Sequence, residues 1–222
     1  MIKKIVFTAL LVCTLTSLQA QNIIWHTYKF DNNFGVEMPG TVKKTESTNA
    51  YANITNHIVH TNESFCEVIK GKVKKTTDGQ SYLLDLPYNK EGLKTFYEEV
   101  IEYLEDTYEI SNATVEYIES QSLSGAQVVA QSNGDLQYYE AKIFLIGDTF
   151  YALSYGSKGE ANQQMKDRFF DTVSFIDPKN MNQTIGVENA NSLPIAFYIL
   201  IAATIAMGMY VLVKIKQKRR QR

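Results

Sequence analysis

Hydrophobic and polar positions alternate along parts of residues 23–73, and this period of two predicts strands. Residues 23–30 and 34–38 read as one pair, joined by turn chemistry at Asp31-Asn32-Asn33 and closed by Pro39-Gly40. Residues 51–60 and 65–73 read as a second pair around the loop Thr61-Asn62-Glu63-Ser64. Then the period changes. Leu93, Phe96, Tyr97, Val100, Ile101 and Leu104 recur at helical spacing and make one apolar stripe, with Asn89 placed to cap it. Glu98, Glu99, Glu102, Glu105 and Asp106 fill the other faces; with no loop to converge them they read as a solvated surface, not a cation site. Alternation returns at residues 114–118, 125–131, 136–146 and 149–155, with Gly134 and Gly147-Asp148 marking tight turns. A second helix over 160–171 buries Met165 and Phe169 and leads into a last strand at 172–176, which Pro178 ends.

Strands this closely spaced favour antiparallel pairing, because a parallel pair needs a long crossover, usually a helix. The order strands, helix, strands, helix predicts an α+β fold, an antiparallel β-sheet flanked by two helices. The segment Phe34-Gly35-Val36-Glu37-Met38-Pro39-Gly40 resembles the opening of PsbP-like and DcrB-like domains. The stretch from Tyr139 to Tyr155, followed by Phe169-Phe170-Asp171-Thr172-Val173-Ser174-Phe175, resembles their closing section, and the likeness extends over residues 24–176. The resemblance implies a PsbP-like sandwich and an accessory or binding role. No site residue of that family falls on a matching motif here, so none is carried over. A C-terminal membrane anchor also departs from the family's common plan.

That anchor is read from the chain's ends. Lys3 and Lys4 precede an apolar run over residues 5–15, and Ser17-Leu18-Gln19-Ala20 supplies a small residue for cleavage, so residues 1–20 read as an export signal. The run is too short for a bilayer core, which takes about 20 residues of helix. Cys13 does not read as a lipoprotein site, because the bulky Val12 stands where such sites carry a small residue. Residues 193–213 hold no charge, and a helix of that length spans ~31 Å, matching the bilayer core. Lys214, Lys216, Lys218, Arg219, Arg220 and Arg222 follow without an acidic residue, the pattern of a cytosolic flank. The predicted organisation is a signal peptide at 1–20, an exported domain at 21–178, a polar linker at 179–192, a transmembrane helix at 193–213 and a basic cytosolic tail at 214–222. It implies a single-pass protein of the cytoplasmic membrane, with its domain on the periplasmic side and the lipid bilayer as partner of residues 193–213.

Charge narrows the partners. The whole chain is −2, but setting aside the two signal lysines and six tail charges leaves 14 basic residues against 24 acidic ones, net −10. An acidic domain is unsuited to nucleic acid, which is held through Lys and Arg. Cys66 is the one cysteine after residue 20, so no internal disulfide can form and the core must hold the domain together.

The chemistry is sparse. His57 and His60 stand three apart, which would put both rings on one helix face; in a strand they point to opposite faces, and shared metal ligation fails. Cys66 with an imidazole could serve as a nucleophile, but no signature surrounds it. No Gly-x-Ser-x-Gly elbow, Walker A loop or His-Glu-x-x-His helix occurs. No catalytic, cofactor-binding or metal residue is therefore assigned, and no cofactor. The leading reading is a membrane-anchored, non-catalytic binding or accessory protein of the cell envelope, acting on an envelope or membrane protein. Two alternatives stay open: a Cys/His-dependent envelope enzyme using Cys66 with His57 or His60, and an assembly factor self-associating through Ala202 and Ala206.

Overall fold

The computed structural model describes residues 23–75, 85–108, 110–132 and 136–186. Chain order runs β1 (Trp25–Lys29), β2 (Phe34–Pro39), β3 (Lys43–Thr48), β4 (Ala52–His60), β5 (Ser64–Val73), α1 (Lys90–Tyr108), β6 (Ile110–Ser120) and β7 (Leu123–Ser132). It continues through β8 (Tyr138–Ile146), β9 (Thr149–Ser157), α2 (Gln163–Asp171) and β10 (Ser174–Phe175). The strands form two antiparallel sheets, one of three in the order β1-β2-β10 and one of seven in the order β3-β4-β5-β9-β8-β7-β6.

This corrects the expected α+β architecture of one antiparallel sheet flanked by two helices. Ten strands in two sheets carry the described fold, and the two helices are minor partners. The predicted first hairpin does form, but it does not extend the main sheet. It pairs instead with β10, Ser174 opposite Gly35 and Phe175 opposite Phe34, and packs sheet on sheet. The nine-residue α2 fills the corner beside it, burying Met165, Phe169 and Phe170. Residues 34–39 and 174–175 are thus pressed together with α2 as packing elements.

The expected transmembrane helix is not part of the described fold either. No helix among the described residues is long and apolar enough to cross a membrane, and residues 193–213, like the signal segment 1–20, lie outside them.

Alternation sorts the seven-stranded sheet into two covered faces. On one face α1 lays Leu93, Phe96, Val100, Ile101 and Leu104 on Ala126, Tyr139, Ile143 and Phe150. On the other, Phe34, Val36 and Met38 of the small sheet and Phe169 of α2 meet Cys66, Phe144, Tyr151 and Tyr155. The central strand β9 is buried at every position because both faces are covered. Three cross-strand pairs, Gly71–Phe150, Gly156–Phe65 and Gly125–Phe144, set a phenylalanine ring over a glycine. A Cβ on those glycines would sit 1.8, 2.3 and 2.6 Å from the ring, so the sheet uses the missing side chain to seat an aromatic one.

One end of this sheet is closed by two glutamine side chains that stand in for ladder hydrogen bonds. Gln121, at the β6–β7 turn, accepts from Phe175 N (3.0 Å) and donates to Val173 O (2.9 Å), which ties β10 to the large sheet. Both Gln121 and Ser122 are left-handed (φ 51° and 70°), a conformation usually left to Asn and Gly. Gln183 sits where the β7–β8 ladder stops at Gly125–Phe144. Its amide donates to Ser124 O (2.7 Å) and Leu145 O (2.8 Å), and its Oε1 accepts from Ser124 N (2.8 Å). Residues 181–186 therefore form a strap over the sheet end, with Met181 packed on one core and Ile185 on the other.

Candidate functional site

His57 faces Val68 across the ladder and His60 faces Phe65, so the two imidazoles point to opposite faces of the sheet. The His57 ring meets Phe30 edge-on at 4.7 Å, and its Nδ1 is buried without a hydrogen-bond partner. Burial above all lowers its pKa below the ordinary value; Lys44 acts in the same direction, Glu46 opposes and Lys70 adds. It is a neutral, packed ring. Cys66 lies between Val59 and Tyr155 on the neighbouring strands, with no exposed surface, and desolvation pushes its thiol up to about 12. A thiol so buried and so raised carries almost no thiolate at neutral pH. Among the described residues no group of three or more His, Cys, Asp or Glu side chains could hold a metal ion.

Two polar clusters that sequence reading missed lie under the small sheet and α2. Asp31 accepts from Asn33 N (2.7 Å) and Phe34 N (2.9 Å), pairs with Lys70 Nζ at 2.6 Å and accepts from the Tyr151 hydroxyl at 2.6 Å. Burial alone would raise the Asp31 carboxyl, but Lys70, Tyr151 and the Asn33 amide together hold it below its ordinary value. Tyr151, buried and beside that carboxylate, is raised. The second cluster pairs Glu140 with Lys166 at 2.8 Å, and the Tyr138 hydroxyl donates to the same carboxylate at 2.5 Å. Gln127 reaches the other carboxylate oxygen at 3.3 Å. Burial works against the Lys166 charge, yet Glu140 and Tyr138 hold the ammonium above its ordinary value. Each cluster is a charge pair with its hydrogen bonds filled. They fasten the β1–β2 turn and α2 to the sheet, and offer no lone base or nucleophile to a substrate.

The large sheet also presents two edges among the described residues. The large sheet ends in β3 on one side and β6 on the other. β3 is six residues long, with exposed Lys43, Lys44 and Glu46 and a Lys44–Glu46 ion pair. Short, charged edges of this kind resist pairing with another strand. Among the described residues, β6 runs for eleven residues with a strand neighbour on one side only. Val115 and Tyr117 on it are 38% and 49% exposed. Tyr117 is oriented from α1, its hydroxyl donating to Glu98 at 3.0 Å and Lys94 lying 5.4 Å over its ring. One register shift between Ser111 and Thr114 is the irregularity along that edge. The pattern of residues 114–118 marks a strand, but nothing in it tells an edge from a centre.

Comparison with protein-family models, with curated proteins and with solved structures finds no match for this chain.

Proposed function

We propose that this chain is a membrane-tethered, non-catalytic binding module of the cell envelope, which takes up an extended segment of a partner protein along β6. The open edge carries the reading: an added strand would fill hydrogen-bonding positions that β6 leaves without a strand partner, and Val115 and Tyr117 would supply side-chain contacts. Two further points support it. The two charge pairs and the buried thiol are absorbed in holding the fold, which favours binding over chemistry. The uncharged stretch 193–213 with its basic flank would keep the domain at the extracytoplasmic surface of the cytoplasmic membrane, raising its effective concentration toward a membrane-bound partner.

The test compares the two edges. Full-length chain carrying Val115→Lys and Tyr117→Lys should fold as the parent does, since both positions are partly exposed, and should lose its co-purifying envelope partner. A lysine at Thr45 on β3 should leave recovery unchanged. Equal recovery from the β6 variant and the parent would refute strand addition at this edge.

A further inference from the structure

The strap over residues 181–186 sets which end of the domain can meet the membrane. Its course is fastened at three points. Gly147 N donates to Asn182 O at 2.6 Å, Gln183 binds Ser124 and Leu145, and Gly186 N donates to Pro87 O at 2.9 Å. At residue 186 the two backbones approach so closely that a Cβ would lie 1.6 Å from Leu86 O, which only glycine permits. The polar run 179–192, read from sequence as a linker, is therefore committed to the domain as far as Gly186.

Six residues, 187–192, then separate the docked strap from the uncharged stretch at 193–213. Fully extended they reach at most ~20 Å. A domain of this size is about 40 Å across, so the opposite end cannot be brought to the bilayer by a tether that short. The end that holds the strap, the β8–β9 turn at Gly147-Asp148 and the entry to α1 is the one left facing the lipid. Tyr88, next to Pro87, is 46% exposed there, and Ile176, just before the strap, is 48% exposed. An exposed tyrosine and an exposed isoleucine suit contact with lipid headgroups better than open water.

From the docked strap, the six-residue tether and these two side chains we infer that the Pro87–Gly186 end of the domain is a lipid-headgroup-facing surface. The inference rests on the membrane-tethered reading and adds an orientation to it. It places the β4–β5 turn at Thr61-Asn62-Glu63 on the side away from the bilayer. The long edge β6 then runs from the membrane end, at the Gln121 turn, outward.

Tryptophan quenching tests this, because Trp25 is the chain's one tryptophan and lies away from the strap. It pairs with Pro39 beside Gly40, which rests against Val59 near the β4–β5 turn. Full-length chain is reconstituted into vesicles of phosphatidylethanolamine and phosphatidylglycerol doped with a headgroup-nitroxide lipid, and flotation is measured on the same sample. Native Trp25 should be little quenched. In a Trp25→Phe background, Tyr88→Trp or Ile176→Trp should be quenched several-fold more, and a flexible Gly/Ser insert after Gly186 should relieve it. If the chain floats with the vesicles but Trp25 is quenched as strongly as residue 88, the orientation is overturned and the tether stands. If the chain does not float, the tether fails and the orientation falls with it.

Discussion

Replacing Gln183 by Met keeps the volume of the side chain and removes its hydrogen bonds. Three of them are short: 2.7 Å to Ser124 O, 2.8 Å to Leu145 O and 2.8 Å from Ser124 N. Ser124 is only half-buried and keeps the Tyr97 hydroxyl as a donor to its carbonyl at 2.8 Å, so water and Tyr97 can make good part of that loss. Leu145 is 1% exposed, and its carbonyl loses this donor in a place water reaches poorly. A buried polar group stripped of its partner costs about 1–3 kcal/mol, and adding the weakened Ser124 bonds brings the total to about 2–3 kcal/mol. For a domain of this size each kcal/mol moves the melting temperature by about 2–4 °C, so a fall of roughly 5–10 °C is expected. The assay is thermal unfolding of full-length chain in detergent, followed by near-ultraviolet circular dichroism. Tyr97→Phe removes the hydroxyl that donates to Ser124 and accepts from Leu145 N at 3.1 Å. Because both residues serve one network, the double variant should lose less than the sum of the singles, with a coupling of about 1 kcal/mol. A Gln183→Met variant that melts within about 1 °C of the parent, against the shift expected from the cited slope, would show that the strap is not fastened by these bonds.

Four further outcomes follow from Cys66 and the two charge pairs. The peptide containing Cys66 should escape N-ethylmaleimide in the native chain at pH 8 and be modified fully in guanidinium, as read by mass spectrometry; rapid native labelling would contradict its burial. Because folding raises that thiol from 9.0 to about 12, its contribution to stability is complete below pH 9 and is lost as pH rises toward 12, a loss that Cys66→Ala should abolish. Asp31→Asn removes the carboxylate that pairs with Lys70. Since the folded carboxyl lies below 3.8, the stability gap between parent and variant should be full above that pH and close as the solution is acidified past it; a gap that stays constant in acid melts would rule out this ion pair as its source. Lys166→Met strands the buried Glu140 carboxylate and should cost about 3 kcal/mol in denaturant unfolding, whereas adding Glu140→Gln should recover much of it; a double variant as unstable as the single one would mean that α2 is not held through this charge pair.

Much of the local structure is legible in the residues. The α1 stripe is read directly from its spacing, and its cap is present: Asn89 Oδ1 accepts from Gly92 N at 2.7 Å. Most strand segments lie where alternation places them. β3 is the exception, because Lys-Lys-Thr-Glu-Ser-Thr has no buried face to alternate with. The sheet assignment was not legible, for a different reason. A hairpin such as β1–β2 shows the same pattern whichever sheet it joins, and the partner that decides is β10, two residues long and some 140 positions away. That contact is reinforced by Arg168 of α2, which pairs with Glu37 at 2.7 Å and stacks over Trp25. Gln121 and Gln183 were invisible as well, since a glutamine in a turn or a polar run reads as solvent-facing until the open ladder it completes is known. Asp31 reads as a turn residue for the same reason, though it also carries a half-buried ion pair. In each case the missing information is tertiary: which backbone or charge the polar side chain will find.

The same accounting bears on function. A seven-stranded sheet has two faces and two edges with which to meet another molecule. Here α1 covers one face and the small sheet with α2 covers the other, where the Asp31–Lys70 and Glu140–Lys166 pairs join the two layers. Of the edges, β3 is short and carries Lys43, Lys44 and Glu46 among its six residues, the arrangement that resists strand addition. β6 is nearly twice as long, and its two exposed apolar side chains stand beside a tyrosine–glutamate–lysine contact that holds one of them in place. Holding Tyr117 in one position reduces the entropy lost when a partner packs against it. Val115 and Tyr117 make β6 the more apolar of the two edges, although Glu116 and Glu119 are exposed on it as well. The asymmetry is what a binding role along β6 requires, and it is why the two-edge comparison, more than any substitution in the interior, decides between a docking module and an inert domain.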